Sequence, residues 1–245
     1  MDLPEVTATV ESVWEQHPSD SAHCGPLGEP PVHFVRRRTH QRKSVRAIGL
    51  EDSREWHRDN CVHHLLFGEP WDRALLVGSR QHYHDLQEQF PEMRHYWEAP
   101  EATFGEQLVV DGLDADKACL GDILQSTFGP LKLQITCPRL SCFRVDHRYP
   151  AIPPATTKAT TTATTIPQVR TGQPGSIRHY AASTGRAGFF CRVLCEGSIW
   201  QGDTLKLVQR PRPEFPLSRL AKLCYSESPL RIAFAGSDQE LNKQQ

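Results

Sequence analysis

The sequence predicts a mainly β protein with few helices, on three observations. Residues 131–136 alternate Leu131, Leu133 and Ile135 with Lys132, Gln134 and Thr136, the period-two pattern of a strand with one buried face. Further short apolar stretches recur along the chain, punctuated by Gly, Pro and Asp turn residues. Helical spacing is confined to 79–90 and to the segment after 213.

Taken in order, residues 6–14 read as a first strand, 25–31 as a Pro/Gly turn region and 32–35 as a second strand. The basic run 36–43, RRRTHQRK, could touch phosphate, but such runs are mostly solvated and the near-neutral net charge gives nucleic-acid binding no support, so it reads as a solvated stretch. His57, His63 and His64 are spaced closely enough to hold a metal, but their charged surroundings, REWHRDNCVHH, read as a solvated loop. Residues 79–90 place Tyr83, Leu86 and Phe90 on one helical face, and Pro91 closes the helix. Residues 104–110 and 118–124 read as strands separated by the turn-rich DGLDAD, with Gly121-Asp122 and Gly202-Asp203 at tight turns. The Thr/Pro-rich tract 151–175 has no apolar period and reads as a disordered insertion that splits the domain. Residues 213–245 read as a helical C-terminal segment following a main domain over 1–212. Leu217, Leu220 and Leu223/Cys224 share one face of its first helix, and a second short helix is expected beyond.

The chain of 245 residues is long enough to bury a sizeable core. Its 28 basic and 29 acidic residues nearly cancel, which argues against nucleic acid or an anionic membrane as an obligatory partner. Apolar runs fall far short of the ~20 residues of a membrane span. The N-terminal stretch is acidic and lacks the basic and apolar regions of a secretory signal, so the expected location is the cytoplasm, with an organelle left open.

Cysteines stand at 24, 61, 119, 137, 142, 191, 195 and 224, and their spread without a signal peptide favours reduced thiols. No Cys-x-x-Cys pair occurs, and Cys191 and Cys195, four apart in a strand, are expected on one buried face. Pro138 is expected to end the ladder of the 131–136 strand and turn 138–142 into a loop at a sheet edge. Cys142 then faces a ligand. Arg139, three residues before it, offers a rigid fork of donors for phosphate or carboxylate and favours a deprotonated thiol nearby. The pattern suits an anionic cofactor and a metal, although a small inert thiol is the other reading of a single cysteine.

The segment TCPRLSCFRV resembles the strand and loop that carry the molybdenum-binding cysteine in MOSC-domain proteins, specifically the bacterial branch associated with resistance to N-hydroxylaminopurine. The resemblance extends to SVRAIGLEDSR (44–54), PWDRALLVGSRQHY (70–83), FGEQLVVDGLDADKACLGD (104–122) and the closing strands and helix start at 185–225. Three positions depart from the family pattern: LLFGEP (65–70) stands for His-Gly-Gly with Gly68 retained, Ser53 for Asp, and Gln107 for Asn.

The resemblance implies a MOSC-type antiparallel β-barrel with peripheral helices and a short helical C-terminal segment. It implies molybdenum cofactor (molybdopterin) at the barrel mouth, with Cys142 as catalytic thiolate and molybdenum ligand. Arg54, Arg73, Gly105, Gln107 and Arg139 are the residues it places at the cofactor. The implied activity is reduction of a small N-hydroxylated base or amidoxime-like substrate, with electrons from a donor protein. The extra methylene of Gln107 is expected to weaken that activity. MOSC domains also occur beside pyridoxal-phosphate desulfurases, so a sulfur or cofactor carrier, or a degenerate domain acting as an interaction protein, are the alternatives.

Overall fold

Strand β1 (Thr7–Glu15) forms one residue beyond the predicted limits and serves three partners in turn along its length. Thr7–Thr9 pair with β11 (Thr204–Gln209), Thr9–Val13 with β6 (Leu108–Asp111), and Val13–Glu15 with β2 (Arg37–Thr39). The structure, a computed structural model, describes residues 3–15, 36–51, 70–91, 104–141, 145 and 176–226.

The pairing of β1 with β11 closes a seven-stranded barrel. From β1 it continues through β6, β5 (Leu75–Ser79), β9 (Phe189–Cys195), β8 (Lys132–Pro138), β7 (Ile123–Ser126) and β11. Closure removes the exposed edges that an open sheet of this size would carry. The barrel is antiparallel except for β5 and β6, which run parallel, and a parallel pair needs a crossover. Helix α1 (Arg80–Gln89) lies in that connection, capped by the Ser79 hydroxyl, which accepts from Gln81 N at 3.3 Å. A small second sheet joins β10 (Gly197–Ile199), β3 (Lys43–Arg46) and β4 (Gly49–Leu50).

The predicted alternation in 131–136 holds: Leu131, Leu133 and Ile135 are fully buried in the barrel core, while Lys132, Gln134 and Thr136 are half-buried. Leu86 and Phe90 of the predicted helix pack in a second cluster with Phe104 and with Ile177 and Ala181 of α2 (Ile177–Thr184). Helix α3 (Leu217–Ser226) packs on α2 and β8. Its inner face is Leu217 and Ala221, whereas Leu223 is 39% exposed, because a 3.6-residue period carries the face from 217 through 221 to 224.

Several expectations are corrected. Strand β8 does not stop before Pro138, which pairs with Phe189. Strand β7 runs beside β8 only at Lys132–Gln134, so the missing N–H of Pro138 opens no gap there, and Arg139 N resumes bonding to Gly188 O at 2.9 Å. Residues 118–122 form a turn rather than strand, held by the buried Asp122 carboxylate accepting from Cys119 N at 2.9 Å and by Gly121 at φ +80°. Cys195 is exposed while Cys191 is fully buried: a register shift between Lys132 and Leu133 breaks the alternation of β9 before Cys195. The basic run contributes β2 and the start of β3; Arg37, Arg38, His40, Gln41 and Arg42 are exposed as expected of a solvated stretch, whereas Arg36 and Thr39 turn inward. The expected strand 32–35, the histidines at 57, 63 and 64, the tract 151–175 and the helix beyond 226 lie outside the described residues.

Candidate functional site

One end of the barrel gathers the start of β6, the start of β2, the C-terminal end of β8 and the turn before β9. The piece at its centre is the turn at 104–107, predicted as strand. Gly105 adopts φ +83°, a conformation in which an L side chain is strained, so glycine is what lets the chain turn here. Glu106, 2% exposed, folds its carboxylate back to accept from Phe104 N at 2.9 Å and from the Tyr83 hydroxyl of α1 at 3.0 Å. Burial pushes the Glu106 carboxyl above its usual range, although Arg139 and the two donors favour its ionised form.

Gly78 on β5 makes the room. A Cβ there would stand 2.8 Å from Glu106 Cγ and 2.9 Å from Oε1. Gly78→Ala is therefore expected to displace the carboxylate and cost about 1–3 kcal/mol, read as a lower midpoint of chemical denaturation with an unchanged slope.

Two arginines attach to consecutive carbonyls of this turn. Arg36 Nε donates to Gly105 O at 2.7 Å, and Arg139 donates to Phe104 O, its guanidinium carbon 5.9 Å from the Phe104 ring centre. Arg36 is 8% exposed and Arg139 half-buried. Among the described residues Arg139 makes no ion pair. Two positions further on, the buried Ser141 hydroxyl has no hydrogen-bond partner among the described residues. A half-buried cation bonded to no carboxylate and a buried hydroxyl without a partner among the described residues are the donors an anion would satisfy.

Of the residues singled out in the sequence, Arg139 and Gly105 are thus brought together. Arg73 lies in the 3-10 turn Pro70–Arg73, its guanidinium carbon 5.3 Å from the Phe190 ring centre. Phe190 is the strand partner of Cys137. The Thr136 hydroxyl ties this turn to β8 by donating to Asp72 O at 2.6 Å. Cys137 itself is half-buried; burial pushes its thiol up, and Arg73 pulls it back only in part. Cys142 and Arg54 lie outside the described residues.

Gln107 is 5% exposed, and its carboxamide bridges to the backbone of β5, accepting from Leu76 N at 2.6 Å and donating to Ala74 O at 3.4 Å. It staples the entry to the parallel pair. Gln107→Asn withdraws the amide by one methylene, so the variant is expected to lose both bonds and about 1–3 kcal/mol of stability, measured by denaturant titration.

Sequence reasoning singled out neither Glu106 nor Ser141, and reached Arg36 only as part of a basic run that could touch phosphate. The signal for Glu106 was a lone acid within an otherwise apolar 104–110 stretch; for Arg36, its place at the head of the basic run. Neither composition nor period reports that an arginine in such a run turns inward.

Residues 32–206 match the MOSC domain family. The chain belongs to the MOSC family. The match covers the barrel from just before β2 into β11 and includes Arg36, the 104–107 turn and Arg139. Among relatives, the chain is 27% identical over 163 residues to Protein YiiM of Escherichia coli strain K12, covering 66% of this chain and 58% of YiiM. It is 28% identical over 152 residues to a protein of Gibberella moniliformis named Reductase, covering 62% of this chain and 22% of that protein. The chain thus spans a little over half of one relative and about a fifth of the other. Among solved structures, YiiM from Geobacillus stearothermophilus superposes with TM-score 0.57 at 20% identity over 90% of this chain and 85% of that one. YiiM from Escherichia coli superposes with TM-score 0.56 at 19% identity over 92% and 80%. MOSC domains are associated with molybdenum cofactor binding. No described helix is long and apolar enough to cross a membrane.

Proposed function

We propose that this MOSC domain binds molybdenum cofactor at the barrel end carrying Arg36, Gly105 and Arg139 and reduces small N-hydroxylated bases or amidoxime-like compounds. The observation that carries the reading is Arg139, a half-buried guanidinium oriented by a backbone carbonyl and bonded to no carboxylate among the described residues, with the buried Glu106 acting on it only through its field. Such a fork suits a phosphate, which the pterin cofactor bears. The Ser141 hydroxyl supplies a second donor beside it, and Cys142, three residues beyond Arg139 in the sequence, supplies a soft thiolate suited to molybdenum. Arg36 adds positive charge on the adjacent carbonyl, and Arg54 and Arg73 are further candidates for the phosphate or the substrate.

The cofactor, when bound, supplies two-electron oxygen-atom chemistry. The chain's part is to bind, orient and neutralise charge. The net reaction consumes an N-hydroxylamine, two electrons from a donor protein and two protons, and releases the amine and water. The relative named Reductase supports a redox role; the substrate class follows from the resemblance to the N-hydroxylaminopurine branch.

The test is the metal and pterin content of protein purified from a molybdenum-competent host, paired with turnover of an N-hydroxylated purine under a chemical electron donor. Near-stoichiometric molybdenum and pterin with amine formation is expected. Protein that carries neither, or that carries both and leaves the purine unreduced, overturns the reading.

A further inference from the structure

The two arginines of the barrel mouth are aimed by one turn, and that turn is tied by one buried acid. Phe104 O and Gly105 O, the acceptors for Arg139 and Arg36, are the carbonyls of the two consecutive peptides that precede Glu106. The Glu106 carboxylate holds this short loop from within by accepting Phe104 N, and from outside by accepting the hydroxyl of Tyr83 on α1. Gly78 is bare where a side chain would displace that carboxylate, and Gly105 supplies the left-handed backbone that sets the direction of its own carbonyl. Among the described residues, the polar groups that act on Glu106 are Tyr83 from α1, Arg139 from the end of β8 and the backbone amides of the turn.

We infer that Glu106 is a positioning residue that sets the anion affinity of this barrel end by holding the Phe104 and Gly105 carbonyls that orient the Arg139 and Arg36 guanidinia. The inference shares with the proposed function only the premise that the site takes an anion, and it does not depend on which anion. Its force lies in the sign it predicts. A carboxylate close to Arg139 repels an incoming anion, so simple electrostatics requires that removing its charge tighten anion binding. Positioning requires the opposite, because guanidinia that lose their fixed direction must be ordered by the ligand at its expense.

The probe is sulfate, a dianion that does not titrate near neutral pH. Its binding to the folded protein is measured by titration calorimetry for the wild type, Glu106→Gln, Glu106→Ala and Arg139→Ala, with the thermal midpoint of each. Arg139→Ala is expected to weaken binding and so locate it. Glu106→Gln keeps one carbonyl oxygen and loses one of the two accepted bonds; a weakening of about fivefold is expected from a bond of ordinary strength. Glu106→Ala, which loses both, is expected to weaken it further at a common temperature where all variants are folded. Unchanged or tighter sulfate binding in the Glu106 variants overturns the inference. So does a weakening that merely tracks a falling folded fraction, and so does wild-type protein that binds no sulfate. Sulfate affinity that depends on Glu106 in protein that never acquires pterin leaves this inference standing and removes the cofactor reading instead.

Discussion

Cys142→Ser is expected to abolish molybdenum-dependent reduction while leaving the fold intact. An alcohol is a hard and very weakly acidic substitute for a thiolate, so the protein loses the donor that suits a soft metal. Disturbing only the outer support of a metal ligand typically costs about 10–100-fold, and loss of the ligand itself is expected to exceed the upper figure. Cys137→Ser is expected to matter little. Burial pushes the Cys137 thiol up, so it remains protonated near neutral pH, and its backbone sits in the β8–β9 ladder opposite Phe190. Turnover and molybdenum content of the two variants, compared at equal folded concentration by circular dichroism, distinguish the roles. Equal losses, or full activity in Cys142→Ser, would show that the ligand has been misassigned.

Acid lability centred on His82 is the second large effect. His82 is 2% exposed, its Nε2 accepts from Ala115 N at 3.0 Å, and its Nδ1 is buried without a hydrogen-bond partner among the described residues. Burial lowers its pKa from 6.5 to about 4, and Arg186 acts in the same direction. Asp85, Asp114 and Asp116 oppose them only in part, since Arg186 itself bridges Asp85 at 2.7 Å and Asp116 at 2.9 Å. Between these two values the unfolded chain takes up a proton that the native state refuses. The stability contributed by the neutral imidazole is therefore complete above about pH 6.5 and is lost as the pH falls toward 4. A fall from 6.5 to about 4 corresponds to a loss of about 3 kcal/mol at roughly 1.4 kcal/mol per pH unit. Glu106 acts with the opposite sign: its raised carboxyl favours the native state at low pH, and that contribution disappears as pH rises through its folded value. The difference between wild type and His82→Gln isolates the histidine, because glutamine does not titrate yet offers an oxygen to Ala115 N. Denaturation at pH 7, 5.5 and 4 should show the wild type losing stability more steeply than the variant. Parallel curves would remove His82 as the cause.

The physical basis of what could be read from sequence is local. The alternation in 131–136 predicts β8 and its buried face because side chains on a strand change sides at every residue, whatever lies opposite. Ser79 and Pro91 bracket α1 because a cap and a breaker act within one turn of the helix. Pro138 misled for the same reason: its missing N–H is a local fact, but whether that breaks a ladder depends on whether β7 runs alongside, and β7 stops pairing at Gln134. Cys195 was misplaced because the register shift that exposes it belongs to the pairing of two strands and to neither alone.

The sequence by itself determined the β class, the helix at 79–90 and, through the segments around TCPRLSC and FGEQL, the family. Only the tertiary structure decided the direction of the polar side chains. It turned Arg36 out of a basic run and onto Gly105 O, drew Glu106 beneath the turn against Tyr83, and tied the Gln107 amide to Leu76 N of β5. These choices are made by groups 23 to 69 residues apart in the chain. A buried polar atom takes whichever partner the fold brings within bonding distance, because leaving it without one costs more than most surface interactions can return. That partner is set by barrel closure and strand register, and no periodicity along the chain encodes it.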